Sequence, residues 1–169
     1  MIGIGEKFPA FELDGVNKDN ELIIEAQWKL QDWGVIYFYP KDWTFICPTE
    51  ISQMDILLEE TEEVFGISGD NEYSKLNWKL SDEVVGDIEH TLLADRGLNL
   101  AKELGIVNEK EGVCYRATYI LDPEGYIAHV SVNRDDTGRN AKEILRTLQA
   151  LKAGGLTGCA WEPGEDFIA

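Results

Sequence analysis

Tyr37-Phe38-Tyr39-Pro40-Lys41-Asp42-Trp43-Thr44-Phe45-Ile46-Cys47-Pro48-Thr49-Glu50 is the stretch around which the rest of the chain arranges itself. The run from Val35 to Tyr39 is apolar throughout, as a central strand covered on both faces must be. A short loop follows. Ile51, Met54, Leu57 and Leu58 then recur at helical spacing, which predicts a helix over 51–58. Strand, loop and helix in that order put Cys47 at or just before a helix N-terminus. They also put it past the carboxyl end of a central strand, where α/β sheets usually hold ligands.

That position bears on the chemistry of the sulfur. A free thiol titrates near ~8.5, so only a small fraction is thiolate at neutral pH. The positive end of a helix dipole and the unpaired N–H groups of a first turn favour the thiolate. Thr44 lies three residues earlier, with its hydroxyl in reach of the sulfur or of a bound oxygen. Pro48 is tolerated because a first turn needs no N–H there. Position alone leaves two readings open, a reactive thiolate and an inert buried cysteine.

Working outward, apolar β-formers predict further strands over 21–25, 64–68, 113–121 and 126–132, beside the one over 34–39. Asp122-Pro123-Glu124-Gly125 carries Pro and Gly at the positions a turn prefers, and should join the last two strands as a hairpin. Ala141, Ile144, Leu145, Leu148 and Leu151 predict a long helix, stopped by Gly154 and Gly155. Shorter helices are expected over 72–80 and 97–104. This alternation, closed by a hairpin and a helix, describes an α/β fold: a central mixed β-sheet flanked by helices. The 169 residues fit one domain, with no repeat, low-complexity tract or linker.

Fifteen Lys and Arg against 32 Asp and Glu give a net charge of −17. An acidic chain repels nucleic-acid phosphates and anionic membrane surfaces, so neither is expected as a partner. Glu59, Glu60, Glu62 and Glu63 read as an exposed helix face. The first residues show no signal-peptide pattern, which points to the cytoplasm. Thiols are kept reduced there, and disulfides are transient and catalytic. The three cysteines, Cys47, Cys114 and Cys159, form neither a disulfide framework nor a C-x-x-C, and zinc spacing is missing, so no metal is expected. His90 and His129 stand as single, unpaired histidines. The aromatics Trp33, Tyr37, Phe38, Tyr39, Trp43 and Phe45 read mostly as core.

Pro40-x-x-x-Thr44-x-x-Cys47, within FYPKDWTFICPTE, resembles the active-site signature of the AhpC-type typical 2-Cys peroxiredoxins. The likeness continues through GISGDNEYSKLNW at 66–78, LLADRGLNLAKELGI at 92–106, GVCYRATYILDPEGYI at 112–127 and GRNAKEILRTLQAL at 138–151. It covers nearly the whole chain. The resemblance implies a thioredoxin-like domain over 1–153 and a C-terminal tail over 154–169. It implies a thiol-dependent peroxidase without a cofactor, acting on hydrogen peroxide and organic hydroperoxides. Cys47 would be the peroxidatic cysteine, oxidised to a sulfenic acid. Thr44 would hydrogen-bond the peroxide and Pro40 would shield the pocket. Arg116 would stabilise the thiolate and the leaving oxygen. Glu50 would orient Arg116, and Arg139 would join that network. Cys159, in a tail whose glycines suggest mobility, would resolve the sulfenic acid of a partner subunit as an inter-subunit disulfide. A thioredoxin-like or flavoprotein reductase would recycle it. Trp43 would help assemble homodimers into a decamer.

Cys114, inside a predicted strand, reads as a buried filler, with a second resolving thiol as the other reading. The chain departs from the family pattern at Trp43, where Phe is usual, at Lys75, where His is common, and at Thr91, where Pro is usual. Cys159-Ala160-Trp161 is also shorter than the common tail spacing. Two further readings stand beside the peroxidase: a thioredoxin-fold disulfide oxidoreductase, and an oligomeric chaperone or peroxide sensor.

Overall fold

The computed structural model describes residues 1–169, the side chain of Trp28 apart. In chain order the elements are β1 (Glu12–Val16), β2 (Leu22–Ala26), β3 (Gly34–Phe38), α1 (Cys47–Gln53), β4 (Glu63–Ser68), α2 (Glu72–Ser81), α3 (Glu83–Gly86), β5 (Thr91–Ala94), α4 (Asn99–Leu104), β6 (Val107–Asn108), β7 (Val113–Cys114), β8 (Arg116–Leu121), β9 (Ile127–Asn133) and α5 (Ala141–Ala153). Seven strands form one sheet in the order β2-β1-β5-β4-β3-β8-β9. β3 runs parallel to β4 and β4 to β5, while the other neighbours are antiparallel, so the sheet is mixed.

Every residue of β3 is buried, and its side chains alternate between two apolar layers. Val35 and Tyr37 point into a layer with Ile51 of α1, Trp78 of α2, Val85 of α3 and Leu148 of α5. Ile36 and Phe38 point into the other, with Phe8, Leu100, Ala101 and Leu104. Helices therefore cover both faces, which is why β3 carries no charged side chain. The hairpin expected at 122–125 joins β8 to β9, with the Gly125 N–H donating to Asp122 O at 2.9 Å. Among the described residues, no helix is long and apolar enough to cross a membrane.

Several expectations shift. The strand predicted over 113–121 is two: β7 pairs with β6 in a separate small sheet, and the chain bends at Tyr115 before β8. The helix predicted over 51–58 begins earlier, at Cys47, and tightens into a 3-10 helix over Met54–Glu59. The 97–104 helix begins as a 3-10 turn over Arg96–Leu98, with Gly97 at φ +76°, and becomes α4 only at Asn99. The acidic run is not one helix face: Glu59 ends the 3-10 helix and Glu63 starts β4. Among the aromatics, Trp43 is exposed and Phe45 wholly so; both sit on the loop rather than in the core. The segment after α5 holds no helix or strand, but it folds back. Trp161 is buried, stacks on Phe167 at 6.0 Å, and its carbonyl accepts from Arg146 at 2.9 Å.

Candidate active site

The site is built where β3 ends. The Tyr39 N–H still pairs with Ile67 O at 2.9 Å, and the chain then turns through residues 40–46 into α1. Cys47 is the first residue of α1 and Pro48 follows in the first turn, as expected. Thr49 closes this turn by donating its hydroxyl to Ile46 O at 2.8 Å. The Cys47 side chain is buried.

One charged side chain, Arg116, meets the sulfur, and two more, Glu50 and Arg139, hold it there. Nη1 of Arg116, from the start of β8, lies 3.3 Å from Cys47 Sγ and 3.1 Å from Glu50 Oε1. Arg116 cannot swing freely, because its Nε donates to Asp135 O at 2.8 Å. Glu50 sits one helical turn after Cys47. It accepts from Arg139 Nη2 at 2.8 Å and from the Arg139 backbone N–H at 2.9 Å. Arg139 is held in turn by Ala117 O, by Thr118 Oγ1 and by Phe38 O, and its guanidinium lies over the Tyr37 ring at 5.0 Å. All three charged side chains are about 95% buried or more. Burial pushes the Glu50 carboxyl up, but Arg139 and then Arg116 outweigh it and hold it below the usual carboxylate range. Burial works against the Arg116 charge, and Cys47 with Glu50 more than offsets this, raising its pKa further. The guanidinium is thus permanently charged beside the sulfur.

Pro40, Thr44 and Arg116 line one cleft of about 760 Å³ with Phe45, Ile46 and Tyr115. Lys41, Lys110 and Arg134 share its walls with Glu111, Asp135 and Asp136. The Thr44 hydroxyl donates to Lys41 O at 3.3 Å, within its own loop, rather than to the sulfur. Cys159 is exposed on the tail and is not among the residues lining the cleft. Cys114 is buried and donates its S–H to Tyr39 O at 3.0 Å. Burial pushes its thiol up to about 12, so it stays a neutral thiol.

With this geometry in view, comparison with known proteins is specific. The AhpC/TSA family model matches residues 4–130. The chain belongs to the AhpC/TSA family. It is 37% identical to a putative peroxiredoxin, YkuU, of Bacillus subtilis over 175 residues, covering 98% of this chain and 97% of that one. It is 33% identical to alkyl hydroperoxide reductase C of Mycolicibacterium smegmatis, covering 99% and 94%. The crystal structure of reduced Plasmodium vivax 2-Cys peroxiredoxin superposes with a TM-score of 0.90 at 30% identity, covering 98% of this chain and 92% of that one. Membership of the AhpC/TSA family carries a thioredoxin-like fold and thiol-dependent peroxidase chemistry with an antioxidant role.

Two buried polar groups in this AhpC/TSA member escape a reading of the sequence. His90 is not unpaired: Nδ1 lies 2.5 Å from Asp55 Oδ1 and Nε2 lies 2.5 Å from the Tyr37 hydroxyl. It thus ties down the ring on which Arg139 rests. Burial pushes the Asp55 carboxyl up, but the hydrogen bond from His90 leads the interactions that bring it below its usual range. Lys75, marked in the sequence only as a departure from His, is completely buried against Asp42.

Proposed function

We propose that this peroxidase attacks its substrate through Cys47. The Cys47 thiolate attacks one oxygen of a hydroperoxide, the O–O bond breaks, and the sulfur becomes a sulfenic acid. The other oxygen leaves as an alkoxide or hydroxide and takes up a proton to give an alcohol or water. Arg116 stabilises the charge that develops on that oxygen, Glu50 and Arg139 aim Arg116, and Pro40 and Thr44 shape the cleft in which the peroxide sits. The observation that carries this reading is the Arg116 Nη1 to Cys47 Sγ distance of 3.3 Å within a locked Arg–Glu–Arg cluster.

In this reading Cys159 of a second subunit condenses with the sulfenic acid, releasing water and forming an inter-subunit disulfide. Its exposure supports that role. A thioredoxin-like or flavoprotein reductase then restores both thiols. Homodimers assemble into a decamer in the cytoplasm, and the exposed Trp43 and Phe45 supply apolar surface for assembly. The thioredoxin-like domain is residues 1–153 and the resolving tail 154–169. The test is hydroperoxide consumption with dithiothreitol by the wild type and by Cys47→Ser. The wild type is expected to consume peroxide and Cys47→Ser to lose the activity; equal rates would overturn the assignment.

A further inference from the structure

The turn between β3 and α1 has an unusual foundation. Lys75, on α2, has no exposed surface. Its ammonium donates to Asp42 Oδ1 at 3.1 Å, to Ser68 Oγ at 2.6 Å and to Tyr39 Oη at 3.2 Å. Asp42 also accepts from the Tyr39 hydroxyl at 2.7 Å and from Ser74 Oγ at 3.0 Å, and its backbone N–H donates to Asp70 Oδ2 at 2.8 Å. Asp42 stands two residues from Pro40 and two from Thr44, both of which line the cleft. Between Asp42 and Thr44, Trp43 is held at φ +63°, a left-handed conformation that a side-chain-bearing residue keeps only where its surroundings enforce it. The enforcement comes from the same face of α2. The Trp43 indole N–H donates to Ser74 Oγ at 3.3 Å, and its ring lies 6.1 Å from that of Trp78.

A buried ion pair contributes little net stability, because desolvation consumes most of the Coulomb gain; what it can confer is one fixed geometry. We infer that Lys75 is a positioning residue for peroxide reduction: by anchoring Asp42 it fixes the strained turn that sets Pro40 and Thr44 in the wall of the cleft they share with Arg116. The inference rests on Cys47 being the peroxidatic cysteine. Lys75 touches neither the sulfur nor the cleft. Its effect is therefore on how peroxide is oriented, not on the nucleophile or on Arg116.

The test compares two reactions of Cys47. Wild type, Lys75→Met/Asp42→Asn and Lys75→His are each mixed with one equivalent of hydrogen peroxide, and separately with iodoacetamide. Cys47 modification is timed by mass spectrometry of quenched samples, and folding is checked by circular dichroism. In the double variant, which removes both buried charges, peroxide oxidation is expected to slow ~10- to 100-fold, the cost of misplaced reacting groups. Alkylation should stay unchanged or quicken as the turn loosens. Lys75→His faces the same Asp42 carboxylate, Tyr39 hydroxyl and Ser68 hydroxyl, with Asp70 next to them. Its peroxide-to-iodoacetamide rate ratio should fall as pH rises through the imidazole range near ~6.5, while the wild-type ratio stays flat. If the double variant does not fold, this pH profile decides. A wild-type ratio in either folded variant, both rates falling together, or failure of both variants to fold would overturn the inference. A wild type whose Cys47 ignores peroxide would instead overturn the peroxidatic assignment.

Discussion

Glu50 shows how single side chains set the chemistry. It is nearly buried, yet it stays ionised because two guanidinium groups and a backbone N–H converge on it. Its folded pKa is depressed, so its contribution to stability is present above its unfolded pKa of about 4.3 and is lost as pH falls through the lower folded value. Glu50→Gln leaves two buried arginines without their shared anion. It is expected to cost about 3–5 kcal/mol at pH 7. The gap to wild type should narrow in urea titrations below about pH 4. A gap that is constant with pH would show that the carboxylate charge is not what holds the cluster. The cysteines divide on the same physics. A guanidinium faces Cys47, whereas burial against a carbonyl keeps Cys114 protonated.

At the level of elements, neighbouring strands of the sheet approach closely. Gly66, in the middle of β4, is such a place. A Cβ there would fall 2.4 Å from the Tyr37 hydroxyl oxygen and 2.9 Å from Leu92. Tyr37 has nowhere to go, since His90 holds its hydroxyl and Arg139 covers its ring. Gly66→Ala is expected to cost about 1–3 kcal/mol in urea unfolding, and to lower activity by displacing Arg139. A variant with wild-type stability would mean that the Tyr37 site is slack. The parts of the fold that were legible in the sequence are those whose elements bury a whole face. β3 and α5 announce themselves through a continuous run and a clear stripe. β1 (ELDGV) and β5 (TLLA) did not, because one carries acidic and glycine residues at the sheet's flank and the other is four residues long. Cys47, Glu50, Arg116 and Arg139 were legible through the motif and its flanking segments. Lys75 and His90 were not. A buried polar group makes sense only with its partner, and Asp42 and Asp55 lie more than thirty residues away in the chain.

For the whole molecule, the −17 charge sets the background against which the site works. The walls of the cleft nearly balance, with Arg116, Lys41, Lys110 and Arg134 set against Glu111, Asp135 and Asp136. The remaining chemistry is distributed along the chain rather than concentrated there. Cys159 is exposed on a tail pinned by Trp161 and Arg146. Treatment with one equivalent of hydroperoxide is expected to give a covalent dimer on non-reducing electrophoresis. Cys159→Ser should abolish this dimer while leaving the first oxidation intact. A dimer that survives in Cys159→Ser and vanishes in Cys114→Ser would move the resolving role to Cys114.

The proposed reduction of peroxide at Cys47 leaves its mark on the sulfur itself. Its most direct test is to oxidise Cys159→Ser with one equivalent of hydrogen peroxide in the presence of dimedone and to map the adduct by peptide mass spectrometry. A single sulfenic-acid adduct is expected, on Cys47, with Cys114 unmodified. An adduct on Cys114, or none on Cys47 while peroxide is consumed, would contradict it.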